Sequence, residues 1–379
     1  MKREILVPRP HWQEQCEALG FEFHSMDGVY WDERACYALS ADEVDILEGA
    51  TEELHRLCLA AVEHVVSKAR WQEFAIPPAF IPYVEAAWQR RDQSLFGRFD
   101  LAWAGIESAA PPKMLEYNAD TPTALIEASV VQWYWLQDLY PERDQFNSLH
   151  EKLIARWELL RAGLPEDGVV HFSCVKGNAE DLGNLDYLRD VATQAGIDAH
   201  HCYVEDLGWD PDSRLFVDSE NLPIRTWFKL YPWEWLIREE FGPHLMETGL
   251  RPFEPAWKML LSNKAILPLL WELNPGHPNL LPAYFTPDKL GHDFVKKPKL
   301  SREGANVLMQ SAGGTHFEPG SYGEEGFVYQ GLAAIPEYDG NYTVIGSWIV
   351  GDEAAGIGLR EDATPITRNT SRFVPHYFS

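Results

Sequence analysis

Two short segments of the 379-residue chain carry side chains that could do chemistry as a set: Phe96-Gly97-Arg98-Phe99-Asp100-Leu101 and Glu116-Tyr117-Asn118-Ala119-Asp120. In an extended strand, residues two apart share a face. Arg98 and Asp100 then point one way, with Phe99 and Leu101 behind them. Glu116 and Asn118 likewise share one face, and Leu115 and Tyr117 the other. The stretch from Glu107 to Lys113 reads as the connection of an antiparallel pair. Once paired, the strands present a guanidinium, two carboxylates and an amide oxygen together. Such oxygens suit a hard cation of the Mg²⁺ type, which takes one or two carboxylates and completes its octahedron with phosphate and water. The same alternation also suits a solvent-facing surface or a structural arginine–carboxylate pair.

A second polar group lies far downstream. Lys264 precedes an apolar, helix-like run in Ser262-Asn263-Lys264-Ala265-Ile266-Leu267-Pro268, and Lys296, Lys297 and Lys299 surround Pro298. A polar loop, 300–306, follows. Residues 326–337 read as an apolar strand breaking into a proline turn, and 351–360 place Arg360 after a glycine-permissive strand. Clustered cations in an acidic chain suit a polyphosphate, with loop amides adding directional donors. The plain alternative is a solvated charge run. No GxxxxGK phosphate loop is present, and Gly356-Ile357-Gly358 lacks the third glycine of GxGxxG.

These residues need a scaffold. Apolar spacing predicts a helix over 41–70, opened by Ser40 and Asp42, and another over 79–95 with Trp88 on its apolar face. Residues 124–162 read as two helices split near Pro141, burying Trp133 and Trp135. Strands are expected at 96–104, 113–118, 168–174, 224–230, 293–297, 326–332 and 342–350, and a helix at 184–195 ends at Gly196. Strands interleaved with helices indicate an α/β or α+β architecture.

Composition narrows the function classes. With 32 Lys+Arg against 58 Asp+Glu, the net charge is −26, which argues against nucleic acid or anionic membranes as main partners. No apolar run approaches the roughly 18 residues that span a bilayer. Five scattered cysteines without a CxxC pair argue against a disulfide framework or a cysteine zinc site, and point to the cytoplasm. The scattered histidines show no HExxH spacing. Fifteen tryptophans beside paired carboxylates raise a carbohydrate hydrolase. However, Trp88, Trp133, Trp135 and Trp271 fall on expected apolar faces, which favours core packing.

Taken in order, Arg98-Phe-Asp100, Glu116-Tyr-Asn-Ala-Asp120, Ser262-Asn-Lys264-Ala-Ile-Leu-Pro, Val295-Lys-Lys297-Pro298, Val328-Tyr-Gln330 and Gly358-Leu-Arg360 resemble the synthetase portion of glutathionylspermidine synthase and its stand-alone relatives. The resemblance spans essentially the whole chain. It implies an α/β (α+β) ATP-grasp fold with a preATP-grasp-like portion. The expected parts are a helical and metal-site part over 1–165, a small α/β substrate-side unit over 166–250 and a nucleotide-binding part over 251–379, with the chain interwoven between them. The implied activity is ATP-dependent joining of a small-molecule acid to an amine through an acyl phosphate. A glutathione-like peptide or another acid would be joined to a polyamine or another amine. A non-catalytic ATP-binding protein on the same fold is the alternative, which the intact set of polar residues disfavours.

By resemblance, Asp100, Glu116 and Asn118 match Mg²⁺ ligands. Arg98, Phe99 and Asp100 match a nucleotide-contacting stretch in which Arg98 meets the reacting phosphoryl group. Lys264 and Lys297 match the lysines on the ATP phosphates, with Gly304 in the loop that covers them. Gln330 matches the adenine hinge, and Pro365, Ile366 and Thr367 the closing segment. Arg360 matches a second arginine that exchanges with Arg98. Thr121 matches a residue beside the acid, and Glu180 and Asp181 an acidic substrate pair. Lys229-Leu230-Tyr231-Pro232-Trp233 departs from a Lys-Thr-Trp segment that helps hold a thiol peptide. The chain starts directly at the synthetase-like part, so the amidase domain of the bifunctional members is expected to be absent.

Overall fold

The computed structural model describes residues 1–25 and 28–379. Its first long helix, α1 (Ala41–Lys68), starts where Ser40 and Glu43 cap each other, each side chain accepting from the other's amide. Two donors that a helix start leaves without partners are thereby satisfied. Leu47, Leu54, Cys58, Ala61 and Val65 form its buried stripe, as their spacing predicts.

α1 packs on a six-stranded antiparallel sheet that holds the polar pair as β1 (Phe96–Ala102) and β2 (Lys113–Asn118). Next along the chain come α2 (Ala179–Gln194), α3 (Trp233–Leu236), α4 (Ile266–Leu273), β3 (Phe294–Pro298), β4 (Phe327–Gly331), β5 (Asn341–Val350) and β6 (Glu353–Asp362). The central sheet runs Arg372–Val374, β6, β5, β1, β2, with Glu337–Tyr338 added on β5. A second antiparallel sheet runs Ala283–Tyr284, β4, β3, Val307–Ser311, Gly314–Glu318. Residues of both sheets line one cleft. A parallel sheet holds Arg251–Phe253, Thr226–Lys229, Val169–Cys174 and Asp198–Tyr203, and α2 is the crossover between the last two.

Several sequence expectations need correction. The helix expected over 79–95 is a 3₁₀ turn at Pro78–Phe80 and a helix at Ile81–Gln89, and it stops because Arg91 turns left-handed at φ 55°. Residues 124–162 split into a π turn at Glu127–Val131 and helices at Gln132–Leu139 and Leu149–Arg161. Trp135 is buried but Trp133 is 39% exposed. Residues two apart on a helix, such as Trp133 and Trp135, lie about 200° apart, so one apolar stripe cannot bury both. α2 starts earlier than expected, with Asn178 accepting from the Asp181 amide. Arg360 lies within β6, not after a strand. The five cysteines are buried and free. Among the described residues, no helix is long and apolar enough to cross a membrane.

A buried ion pair sets where β1 begins. The Glu254 carboxylate accepts from the amides of Leu95 and Phe96, while Lys258 Nζ donates to the Phe96 carbonyl at 2.6 Å and lies 2.7 Å from Glu254 Oε2. Removing one partner of such a pair strands the other charge. Lys258→Met should therefore destabilise the protein by ~3–5 kcal/mol in urea unfolding. A loss below ~1 kcal/mol would show that β1 does not depend on this clamp.

Candidate active site

The two polar strands pair so that Arg98 faces Asn118 and Asp100 faces Glu116. Behind them Phe99 stacks on Tyr117 with ring centroids 3.9 Å apart, and both are buried. The ring of Phe99 therefore points away from the cleft, which leaves only its main chain for the nucleotide contact expected of it. Beyond Asp100 the register shifts, Leu101 pairing with Met114 and leaving Leu115 as a bulge. A bulge re-aims the residue it contains. Leu115 consequently lines the cleft instead of sharing the back face with Tyr117, and its carbonyl accepts from Lys297 Nζ at 2.9 Å. Opposite Asp100 stands Gly346 of β5. A Cβ there would lie 2.8 Å from Arg98 Cδ, so only glycine leaves the arginine room to lie across the sheet towards Trp348.

The lysines sort themselves by strand alternation. Lys297 of β3 enters the cleft, where its Nζ also donates to Gln330 Oε1 at 2.8 Å. Lys296 turns to the other face and lies 3.8 Å from the centre of the Phe327 ring, and Lys299 lies over Phe285. Lys264 sits in the turn before α4, with Nζ donating to the Ser301 carbonyl and 3.3 Å from Glu116 Oε2. Burial alone would raise the Glu116 carboxyl, but Lys264, Lys297 and Arg98 hold it below its usual range. Asp100 is raised by burial in spite of Arg98, whose Nε donates to it at 3.0 Å. Burial, opposed by Glu116, pushes Lys297 down to about 8.

Asp100, Glu116, Lys297, Gly304, Gln330, Pro365, Ile366 and Thr367 line one cleft with apolar Val295 and Val307. The Gln330 amide is tied to Lys297 and to the Met114 carbonyl. Gly304 has φ +70°, and a Cβ on it would stand 2.7 Å from the Thr367 carbonyl, so its loop touches the closing segment through a glycine. A small neighbouring pocket joins Arg98, Asp100, Thr367 and Arg360. Arg360 Nη2 donates to the carbonyls of Arg368, Asn369 and Ser371, and its Nε is buried without a partner.

The expected cation ligands fit a hard ion by donor type. Asp100 and Glu116 supply oxygens side by side, each also meeting one cation, Arg98 or Lys264, and Asn118 beside them carries an amide oxygen; its amide nitrogen, which cannot ligate a cation, is buried with no partner. Among the described residues no three His, Cys, Asp or Glu side chains form a metal cage. An ion here would rest on two carboxylates, one amide and phosphate oxygens, the donor set Mg²⁺ favours.

Of the residues expected at the substrates, Thr121 Oγ1 accepts from Arg302 Nη1 at 2.6 Å. Glu180 and Asp181 occupy the first turn of α2. Burial, with Glu180 beside it, pushes Asp181 up to about 7, and the same two causes push Glu127 to about 7. Glu303 is also raised by burial and Glu180. Tyr30 donates to one Glu127 oxygen at 2.7 Å, and the other is buried without a partner. Sequence reasoning gave no role to Glu127, Glu303, Arg302, Gly346 or Asp120. Asp120 holds Lys229 Nζ at 2.6 Å and accepts from the Trp233 amide at 2.8 Å, fixing α3 beside Thr121. The departing Lys229–Trp233 segment is thus built around that buried pair. The only sequence signals were Asp120 at the end of its motif and Arg302 and Glu303 in a polar loop.

A sequence profile described as glutathionylspermidine synthase preATP-grasp matches residues 3–379. A Haemophilus influenzae protein named "Putative acid--amine ligase" is 44% identical over 396 residues, covering 100% of both chains. Trypanothione synthetase of Crithidia fasciculata is 28% identical over 85% of this chain and 53% of its own. The bifunctional glutathionylspermidine synthetase/amidase of Escherichia coli is 29% identical over 89% of this chain and 58% of its own. The chain therefore spans little more than half of these last two proteins. A glutathione synthetase-like effector of Globodera pallida, solved in its apo form, superposes with a TM-score of 0.60 at 9% identity, covering 97% of this chain and 96% of that one. The mixed α/β fold is that of the glutathione synthetase-like ATP-grasp proteins.

Lys297 yields a pH test. Its folded value of about 8 lies below the ordinary 10.5, so the folded chain binds fewer protons than the unfolded chain between those values. Stability should rise with pH across that window, as the cost of burying the charge is relieved. A polyphosphate needs the ammonium form, so Mg·ADP affinity should fall as pH rises above about 8, and Lys297→Gln should flatten that fall. Titration calorimetry between about pH 7 and 9.5 reads it. An unchanged slope in the variant would remove Lys297 from the phosphate site.

Proposed function

The chain belongs to the glutathionylspermidine synthase family of ATP-dependent carbon–nitrogen ligases, and on that premise we propose that it joins a glutathione-like acid to a polyamine through an acyl phosphate. One observation carries the reading. Arg98 and Asp100 stand in register with Asn118 and Glu116, and Lys264 and Lys297 reach the same cleft from the other side.

The terminal phosphoryl group of ATP passes to a carboxylate oxygen of the acid, releasing ADP. The amine nitrogen attacks the acyl carbon, phosphate leaves, and the nitrogen gives up a proton. Lys264 and Lys297 would hold the phosphates, and Asp100, Glu116 and Asn118 would hold Mg²⁺. That ion, when bound, offsets phosphate charge during in-line transfer. Arg98 supports the oxyanion that develops at the acyl carbon. No protein nucleophile is required, so catalysis rests on positioning and charge neutralisation.

The raised carboxyls around Glu180 support a polyamine. Glu127, Glu180, Asp181 and Glu303 crowd negative charge into buried space that a cation would relieve. The attacking nitrogen must be neutral, whereas a second, distal ammonium of the same molecule can sit among carboxylates. A polyamine supplies both.

Three measurements test the reading. A screen of ADP release, crossing peptide thiols and amino acids with polyamines and amino acids, should find glutathione with spermidine among its hits, with the amide confirmed by mass spectrometry. Mg·ATP binding with no ADP release across the whole screen would overturn the reading. Arg98→Ala should lower turnover ~100–1,000-fold with nucleotide affinity nearly kept, and near-normal turnover would end its assigned role. The polyamine KM should fall as pH rises through about 7, where Glu127 and Asp181 lose their protons. A flat profile would place the amine elsewhere.

A further inference from the structure

The loop 300–306 is tied on both sides of the cleft. The Ser301 carbonyl accepts from Lys264 Nζ at 2.8 Å, and Gly304 lies against Thr367. Between them Arg302 leaves the nucleotide side altogether. Its Nη1 donates to Thr121 Oγ1 at 2.6 Å, its Nη2 to Glu234 Oε1 at 3.0 Å, and the Trp235 ring lies 5.7 Å away. Its Nε is buried and has no partner. Thr121 stands two residues before Thr123, whose carbonyl accepts from Arg98 Nη1 at 2.6 Å. Two guanidinium groups therefore bracket one short segment. Arg98 is held by Asp100 of the candidate metal site, and Arg302 by a carboxylate borrowed from α3.

We infer that Arg302 is the receptor for the acid substrate's reacting carboxylate, and that exchanging Glu234 for that carboxylate makes closure of the loop over the nucleotide depend on the acid. This rests on the ligase reading above. A guanidinium offers a planar fork that fits a carboxylate through two parallel bonds. Here Glu234 uses one oxygen at Nη2 and leaves the adjacent Nε idle, so Arg302 has an open half of its fork. A substrate carboxylate can take both donors. The exchange replaces one carboxylate by another, so Arg302 is never left buried without a counter-charge, the state that would cost most. Glu234 itself is fixed, because its neighbour Trp233 is bonded through its amide to Asp120. The frame that presents Thr121 and Glu234 stays rigid while the loop carrying Arg302 responds.

The experiment measures Mg·ADP affinity of the full chain by titration calorimetry, alone and with saturating acetate, glycine or glutathione. In the wild type a carboxylate should tighten Mg·ADP binding by about fivefold or more, glutathione most strongly. Arg302→Lys keeps the charge but not the fork, and should shrink that coupling below about twofold while leaving acid-free Mg·ADP affinity nearly unchanged. Glu234→Gln removes the competitor and should tighten glutathione binding by about threefold or more. This gain is one that a merely structural contact would not produce. Absence of coupling by every acid in the wild type, full coupling in Arg302→Lys, or weaker glutathione binding in Glu234→Gln would each overturn the inference. Coupling as described without ADP release for any amine would instead overturn the ligase reading, and ordinary ADP release without coupling would remove the Arg302 role alone.

Discussion

Side chains alternate along a strand with a period of two, so a slip of β2 by one residue would send Glu116 and Asn118 into the apolar layer. Every polar contact in the cleft presupposes that this slip does not occur. The back of the pair prevents it: Phe99 on Tyr117 is a stacked aromatic contact that a one-residue shift would replace with a buried carboxylate or amide. Glu254 and Lys258 fix the start of β1 from outside the sheet, and β5 fixes its other edge through six paired residues. The Leu115 bulge adds one residue without disturbing the pairs at Arg98 and Asp100. It turns one carbonyl towards Lys297, so an irregularity in β2 also positions a cation from the second sheet.

Once the register is fixed, electrostatics divides the interior. Cations gather where phosphates would lie, and carboxyls gather around the start of α2. Burial shifts Lys297 downward and Glu127 and Asp181 upward, each towards neutrality. Such shifts show charge that the protein does not fully balance within itself. A chain of net charge −26 therefore carries a small cationic cleft inside an acidic shell. Under the proposed reading, the exterior would attract a cationic amine only weakly through physiological salt, and the buried carboxyls would do most of the discrimination.

The face shared by Arg98, Asp100, Glu116 and Asn118 was legible because strand periodicity acts on neighbours in sequence. Lys297 could be told from Lys296 by the same rule, but not from Lys299 until the strand's end at Pro298 was known. The Leu115 bulge left no compositional trace. Trp133 was misplaced because a wholly apolar reading of its helix ignored the rotation between neighbours. Lys2–Ile5 went unseen as a strand because its four residues do not alternate in polarity. Arg302 was the hardest case, since its partners Thr121 and Glu234 lie 181 and 68 residues away in sequence. Nothing local to a polar loop distinguishes an arginine that faces solvent from one that reaches across a cleft.

A reaction through an acyl phosphate has its own requirement for such a long-range tie. The intermediate is open to water, so closing the site over ATP before the acid arrives invites wasteful hydrolysis. Binding energy from the acid should instead be used to assemble the site, which is how induced fit links occupancy to chemistry. A loop contacting only the nucleotide could not make that distinction. Loop 300–306 meets Lys264 at Ser301, Thr121 and Glu234 through Arg302, and Thr367 at Gly304. Within four residues it touches the groups assigned to phosphate, acid and nucleotide. Those residues need the backbone freedom of Gly304 at one end and a long, forked cation in the middle, a combination that a regular helix or strand would not hold in this geometry.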